Sequence, residues 1–265
     1  MRIAFFDSGL GGLTVLSAAM KKLPKEDFLF YADTLHVPYG SKPGEAVKQY
    51  IHESVKTIMR EEVKAIVVAC NTATSLAIAE LRSMYDIPVI GMEPAVKPAV
   101  EQNRATGKRV LVFATPLTLK EAKYIDLVKR VDDMNIVDSI PLPELVQYCE
   151  ALNFDKGVIA DYLAGKLDGV DLNQYGTVVL GCTHYPFYGK LLADILPPHI
   201  QIIDGRTGTV NRLVQVLKAR HLLSAEGQED LKFLCSSNSV QYIEKMKEAL
   251  SLLNRMEGES ENDDW

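Results

Sequence analysis

The sequence predicts an α/β protein of two pseudosymmetric domains, each a mostly parallel sheet flanked by helices. Three observations lead there. Short apolar, β-branched or aromatic runs alternate with longer amphipathic stretches, which is the rhythm of strand and crossover helix. The runs are continuously apolar rather than alternating, as expected of strands covered on both faces. Finally, one strand-ending motif occurs twice: Ile66-Val67-Val68-Ala69-Cys70-Asn71-Thr72 and Val178-Val179-Leu180-Gly181-Cys182-Thr183-His184. In each, an apolar strand ends at a cysteine, followed by Thr or Asn and then a candidate helix. The repeat suggests two similar α/β halves facing each other.

The strands are read in order from their composition. Arg2–Phe6 and Phe28–Tyr31 are apolar and aromatic, Ala65–Ala69 is rich in Val and Ile, and Pro88–Ile90 is a short apolar run. Arg109–Ala114, Asn135–Ser139, Thr177–Leu180 and Ile200–Ile203 continue the series. Helical patterning fills Pro43–Arg60, Thr74–Tyr85, Leu119–Arg130, Pro143–Tyr148 and Thr209–Ala219. The chain leaves the first half after Pro94, through the turn-like stretch Gln102 to Gly107, and returns around Asp204–Gly208. The expected domains are therefore 1–95 with 210–265, and 96–209.

A chain of 265 residues suits one large or two smaller domains and can bury a substantial core. With 47% apolar residues it reads as a compact soluble protein. No run approaches the ~20 consecutive apolar residues of a membrane span. Met1-Arg2 leads straight into Ile3-Ala4-Phe5-Phe6, without the pattern of a signal peptide, so the cytoplasm is expected. Part of the formal charge of -6 sits at 258–265, which reads as a solvated, irregular end. The lack of a basic stripe interleaved with aromatics argues against nucleic acid. The cysteines are Cys70, Cys149, Cys182 and Cys235, too far apart in sequence for redox CxxC chemistry or a zinc ribbon. Neither these nor His36, His52, His199 and His221 show a ligand spacing, so no metal is expected.

Ligands of open α/β sheets bind at the carboxyl ends of strands. Polar clusters stand at four such ends: Asp7-Ser8-Gly9, Cys70-Asn71-Thr72, Thr115 with Thr118, and Cys182-Thr183-His184. Backbone amides in these turns suit a carboxylate, so a small polar ligand is expected. A thiol at a strand end just ahead of a helix is expected to be partly exposed and to have a lowered pKa. As a matched pair, Cys70 and Cys182 stand apart from the default of a small buried hydrophobe, which Cys149 and Cys235 keep. Asp7-Ser8-Gly9-Leu10-Gly11-Gly12 is not the dinucleotide fingerprint, since its third glycine directly follows the second. It is either a tight turn using unusual φ or a loop that sets Asp7 beside a thiol or a substrate ammonium. His184 is either a core imidazole or a proton-handling partner of Cys182. Pro38-Tyr39-Gly40-Ser41 reads as a turn, with or without ligand contact, and Glu150 as a solvated helix charge or a site residue.

Phe6-Asp7-Ser8-Gly9-Leu10-Gly11-Gly12, Pro38-Tyr39-Gly40, Ala69-Cys70-Asn71-Thr72-Ala73 and Gly181-Cys182-Thr183-His184-Tyr185-Pro186 resemble, in order, the motifs of the bacterial glutamate racemases. These belong to the aspartate/glutamate racemase superfamily, and the resemblance covers nearly the whole chain. It implies an active site at the domain interface, no cofactor, and two thiols acting as bases on opposite faces of the substrate. By the same resemblance, Cys70 deprotonates D-glutamate, assisted by Asp7, and Cys182 deprotonates L-glutamate, assisted by His184. Glu150 matches a family glutamate. Asp7, Ser8, Tyr39, Gly40, Asn71, Thr72, Thr115, Thr118, Thr183 and His184 would hold the substrate. Gln147, where proline is common, and Gly205 after Asp204 depart from the pattern outside these motifs. His184 stands where aspartate racemases tend to carry glutamate. A homodimer and a role in supplying D-glutamate for peptidoglycan are further implications; because the chain begins almost directly at its first strand, activity without the cell-wall precursor that activates some relatives is expected. The alternatives are a racemase of aspartate or another acidic amino acid, a single-thiol hydrolase or lyase of the superfamily, and a non-catalytic binder of acidic amino acids.

Overall fold

The computed structural model describes residues 1–227 and 230–262. The first stretch of chain builds β1 (Arg2–Asp7), α1 (Leu13–Lys22), β2 (Phe28–Ala32), α2 (Gly44–Ile58), β3 (Val63–Val68), α3 (Asn71–Met84) and β4 (Val89–Gly91). The second builds α4 (Val96–Asn103), β5 (Arg109–Ala114), α5 (Pro116–Lys120), α6 (Ala122–Val131), β6 (Val137–Pro141) and α7 (Pro143–Glu150). It continues through α8 (Lys156–Leu167), β7 (Tyr175–Leu180), α9 (Gly189–Ile195) and β8 (Gln201–Asp204). The chain ends with α10 (Arg206–Ala219), β9 (Leu231–Cys235) and α11 (Val240–Asn262).

Two sheets result, ordered β4-β3-β1-β2-β9 and β6-β5-β7-β8, and every pairing in them is parallel. The two are built alike. β1 lies between β2 and β3 as β5 lies between β6 and β7, with β4 and β8 outside β3 and β7. The correspondence extends to register: Phe6 faces Val68, and Phe113 faces Leu180. Both central pairs carry a register shift at the same place, after Arg2 in one and after Arg109 in the other. Cys70 and Cys182 each follow two residues after the last paired residue, so the sequence repeat is a structural repeat.

The continuous apolar runs have the predicted cause. In β5, Leu111 and Phe113 enter one cluster while Val110, Val112 and Ala114 enter another on the opposite face. β1 divides likewise, Ile3 and Phe5 from Ala4 and Phe6. The largest cluster contains residues of both sheets, Phe5 and Phe30 with Phe113 and Leu180, so one apolar core runs beneath the junction. Helices join by their apolar stripes, as Val47, Ile51, Val55 and Ile58 of α2 show at intervals near 3.6 residues.

Several expectations are corrected. The strand at 231–235 is added to the edge of the first sheet beside β2, which the sequence reading did not include. The single helix expected over Leu119–Arg130 is two, broken at Glu121, whose extended backbone caps α5 and opens α6. The strand expected over Asn135–Ser139 begins at Val137, because Asn135 takes a left-handed φ of 55°. The end expected to be irregular instead continues α11 to Asn262, while 263–265 lie outside the described residues.

Candidate active site

The carboxyl ends of the two sheets converge on one small cavity of about 10 Å³. It is lined by Ser8 from the end of β1, by Cys70, Asn71 and Thr72 after β3, by Thr115 after β5, and by Cys182, Thr183 and His184 after β7. Pro38, Tyr39 and Gly40 complete it, together with Val146 of α7. Every polar strand-end cluster singled out in the sequence therefore meets in one place. A far larger cavity of about 800 Å³ lies elsewhere, between Arg82, Glu93, Asp204 and Arg212. Size favours the larger, but chemistry favours the smaller, because both candidate thiols line it.

The two thiols are not equivalent. Helix α3 begins at Asn71 rather than at Thr74, so Cys70 is its N-cap and its Sγ accepts the Ala73 amide at 3.4 Å. Ser8 Oγ lies 4.0 Å from the same sulfur. Cys182 has no such helix: a 3₁₀ turn over Tyr185–Tyr188 comes first, and α9 starts only at Gly189. Its Sγ instead lies 3.7 Å from His184 Nδ1. Nor are the thiols partly exposed, since each is only 6% accessible. Burial, with the negative Asp7 second, pushes the Cys70 thiol up rather than down, and the capping amide offsets only part of this.

His184 belongs to the site and not to the apolar core. Its Nε2 lies 2.8 Å from Glu150 Oε1, and the Gly11 amide is 3.2 Å away. Burial pulls its pKa down, but the Cys182 and Glu150 contacts outweigh that and hold it well above the ordinary imidazole value. Glu150 is the counterpart. Burial raises its pKa, yet hydrogen bonds from His184, Tyr242 and the Leu10 amide bring it below the ordinary value. Leu10 N–H donates to Glu150 Oε1 at 2.7 Å. The solvated-charge reading of Glu150 is thereby set aside.

Asp7 is fully buried and accepts from the Gly9 amide at 2.9 Å and from Thr183 Oγ1 at 3.0 Å. Burial raises its pKa, against the lowering influence of His184 and the two hydrogen bonds. Its effect on Cys70 is electrostatic and disfavours the thiolate. The glycines after it do not use unusual φ, because among the described glycines only Gly107 and Gly169 take positive values. They permit close approach instead. A Cβ on Gly11 would lie 2.3 Å from His184 Nδ1, and one on Gly9 would lie 2.0 Å from Glu150 Oε1. This loop of the first half is thus seated directly on the acid–base groups of the second.

On the other flank, Thr72, Thr115 and Thr118 form a triangle of hydroxyls with Oγ1 separations of 3.1, 2.9 and 2.9 Å. Gly40 packs on it; a Cβ there would lie 2.4 Å from Thr115 Cβ. Tyr39 donates its hydroxyl to Asp33 Oδ2 at 2.5 Å, and His36 Nδ1 lies 2.9 Å from the same carboxylate. Asn71 is 2% exposed, yet neither its Oδ1 nor its Nδ2 has a hydrogen-bond partner. A buried amide without partners is costly, and one lining a cavity is placed to meet a ligand.

All thirteen site residues expected from the sequence cluster here, with Thr118 and Glu150 just behind the wall and Asp7 beneath it. Cys149 and Cys235 stay outside as packing residues, buried at 0% and 4% exposure. Among the described residues no group of three His, Cys, Asp or Glu side chains could hold a metal, and no helix is long and apolar enough to cross a membrane. The sequence reading missed Asp33, Tyr242 and Lys245. Tyr242 lies on the apolar stripe it shares with Met246, Ala249, Leu250 and Leu253, which marks it as inward-facing but does not reveal its partner.

The model of the Asp/Glu/Hydantoin racemase family matches residues 15–213. A glutamate racemase of Halothermothrix orenii is 47% identical over 257 residues, covering 97% of this chain and all of the relative. Glutamate racemase 2 of Bacillus subtilis is 46% identical, covering 96% of this chain and 97% of its own. Among solved structures, the glutamate racemase of Francisella tularensis in complex with D-glutamate superimposes with a TM-score of 0.82 at 26% identity, covering 94% of this chain and 93% of that one.

Proposed function

From the premise that this chain belongs to the Asp/Glu/Hydantoin racemase family, we propose that it interconverts L- and D-glutamate without a cofactor, using Cys70 and Cys182 as its two bases. The observation that carries this reading is the pair of thiols lining one cavity from matching positions of two matching sheets. Inversion at Cα needs a proton taken from one face and returned to the other, and a duplicated thiol supplies both. One thiolate removes the α-proton and becomes a thiol. The opposing thiol gives its proton to the other face of the planar carbanion and becomes a thiolate. The product is the mirror image, and the two sulfurs have exchanged protonation states.

The surroundings suit this chemistry. An α-proton beside a carboxylate is very weakly acidic, so a thiolate of raised pKa, a stronger base, is better matched to it than an exposed one. The burial of the residues that line the cavity strengthens every dipole aimed at the developing charge. In this reading His184 handles the proton at Cys182, and Glu150 holds the imidazole in position. Asp7 acts on the Cys70 side through its field. Asn71, whose amide is without partners, takes the substrate's charged groups together with Ser8, Tyr39, Gly40, Thr72, Thr115, Thr118 and Thr183. The division into 1–95 with 210–265 and 96–209 fits α4 packing on β5 and β7 while α10 packs on α1. A homodimer working in the cytoplasm and supplying D-glutamate for peptidoglycan synthesis completes the proposal.

Single-thiol variants test the assignment. Cys70→Ala and Cys182→Ala are each expected to lose racemisation by at least about a thousand-fold, the scale of removing an essential acid or base. In D₂O, Cys182→Ala is expected still to exchange the α-proton of D-glutamate, and Cys70→Ala that of L-glutamate, each without inversion. A variant that keeps racemising would remove its cysteine from the mechanism and favour a single-thiol reaction.

A further inference from the structure

We propose that Tyr242 is a positioning residue for the Cys182 half of the site, its hydroxyl fixing Glu150 and, through Glu150, His184. The inference rests on the two-thiol reading but concerns a residue that the reading does not use. Helix α11 packs on α1 and β9, with Met246, Ala249, Leu250 and Leu253 buried and Ser17 Oγ donating to Asn254 Oδ1 at 2.9 Å. It is therefore anchored to the first half. From that anchor two side chains reach the end of α7: Tyr242 donates its hydroxyl to Glu150 Oε2, and Lys245 Nζ donates to the Glu150 carbonyl. Lys245 Nζ also lies 5.3 Å from the centre of the Tyr242 ring, so the two form one unit.

Each carboxylate oxygen of Glu150 then has a separate task. Oε1 takes the Leu10 amide and faces His184 Nε2, whose Nδ1 faces the Cys182 sulfur. Oε2 is held by Tyr242. Without that bond the carboxylate is less firmly held about its last torsion, and His184 loses part of what sets its ring plane and keeps it protonated. Tyr242 touches neither thiol; its influence travels through Glu150.

The groups facing Glu150 are His184 from the turn after β7, Tyr188 from the 3₁₀ turn that follows, Asp7 from β1, Tyr242 and Lys245 from α11, and Cys149 on its own helix. Of the hydrogen bonds that keep it ionised, Tyr242→Phe removes one without removing the ring. The expected result is a fall in kcat/KM of about ten-fold, as for a lost hydrogen bond to a charged group. The acidic limb of the pH profile should also move to higher pH, because ionised Glu150 is then less favoured. Replacing Tyr242 by 3-fluorotyrosine, a stronger donor of the same shape, should move that limb the other way; this second chain also serves if the phenylalanine variant loses its fold. In a Glu150→Ala background, Tyr242→Phe should add little further loss, since partners in one chain of contacts are not additive.

An unmoved acidic limb with kcat/KM within two-fold of the wild-type chain would overturn the inference. So would a full additional loss in the Glu150→Ala background, which would show that the hydroxyl acts independently of Glu150. Failure of the wild-type chain to racemise glutamate would instead overturn the two-thiol reading itself.

Discussion

Asp7 illustrates how a site residue can oppose the stability of the protein that carries it. It is fully buried, and that burial raises its pKa despite the Gly9 and Thr183 hydrogen bonds. A carboxyl group that binds its proton more tightly folded than unfolded contributes most at low pH. That contribution is lost as pH rises through the folded pKa. Asp7→Asn keeps an acceptor for the Gly9 amide, and its NH₂ can donate to the Thr183 hydroxyl. The variant is therefore expected to unfold a few °C higher near about pH 8, with the gain shrinking toward about pH 5, while racemisation falls at least about ten-fold. Thermal unfolding across that range, beside rates for both enantiomers, checks this; a variant that is less stable and fully active would contradict it. The sequence placed Asp7 and both cysteines at strand ends, because strand-end position is a local property. It put the Cys70 pKa on the wrong side, because that depends on how completely the folded chain buries the thiol.

At the scale of elements, the loop between β1 and α1 makes the sharpest demand. Gly11→Ala would set a methyl carbon 2.3 Å from His184 Nδ1 and 2.4 Å from Thr183 Oγ1, which no rotamer change in the alanine can relieve. Either His184 leaves Cys182 or the loop lifts, and racemisation is expected to fall by about a hundred-fold or more. Gly189, at the start of α9, has open space where its Cβ would stand, so Gly189→Ala should leave the rate unchanged and the unfolding midpoint equal or higher. Equal losses in both variants would show that the rate responds to any glycine replacement and not to the close approach of this loop. Strand ends and the α2 stripe were legible because period and composition are written locally. The start of α3 was not, because its cap is a cysteine, outside the usual Ser, Thr, Asp and Asn signals. β9 was missed because an edge strand, half covered, lacks the continuous apolar run of its neighbours.

The whole molecule is two copies of one design placed mouth to mouth, the first extended by β9 and α11, and the chemistry differs between them. Register, bulge position and cysteine position repeat, whereas Cys70 caps a helix and Cys182 faces an imidazole. The repeat was visible in the sequence; the contacts between halves, Leu10 and Tyr242 on Glu150 and Gly11 on His184, were not, because they join residues roughly a hundred or more positions apart. A cavity of about 10 Å³, near the volume that one water-sized sphere occupies, cannot admit an amino acid as it stands. Because the product is the mirror image of the substrate, their free energies in solution are equal. Any variant must therefore keep the same kcat/KM in both directions, and differences between the thiols can emerge only in kcat and KM separately. The most direct measurement follows optical rotation and deuterium at Cα, starting separately from D- and L-glutamate in D₂O with no cofactor added. The two-thiol account predicts that both samples decay to zero rotation and that the inverted product carries deuterium. Samples that hold their rotation in the presence of correctly folded protein would contradict it.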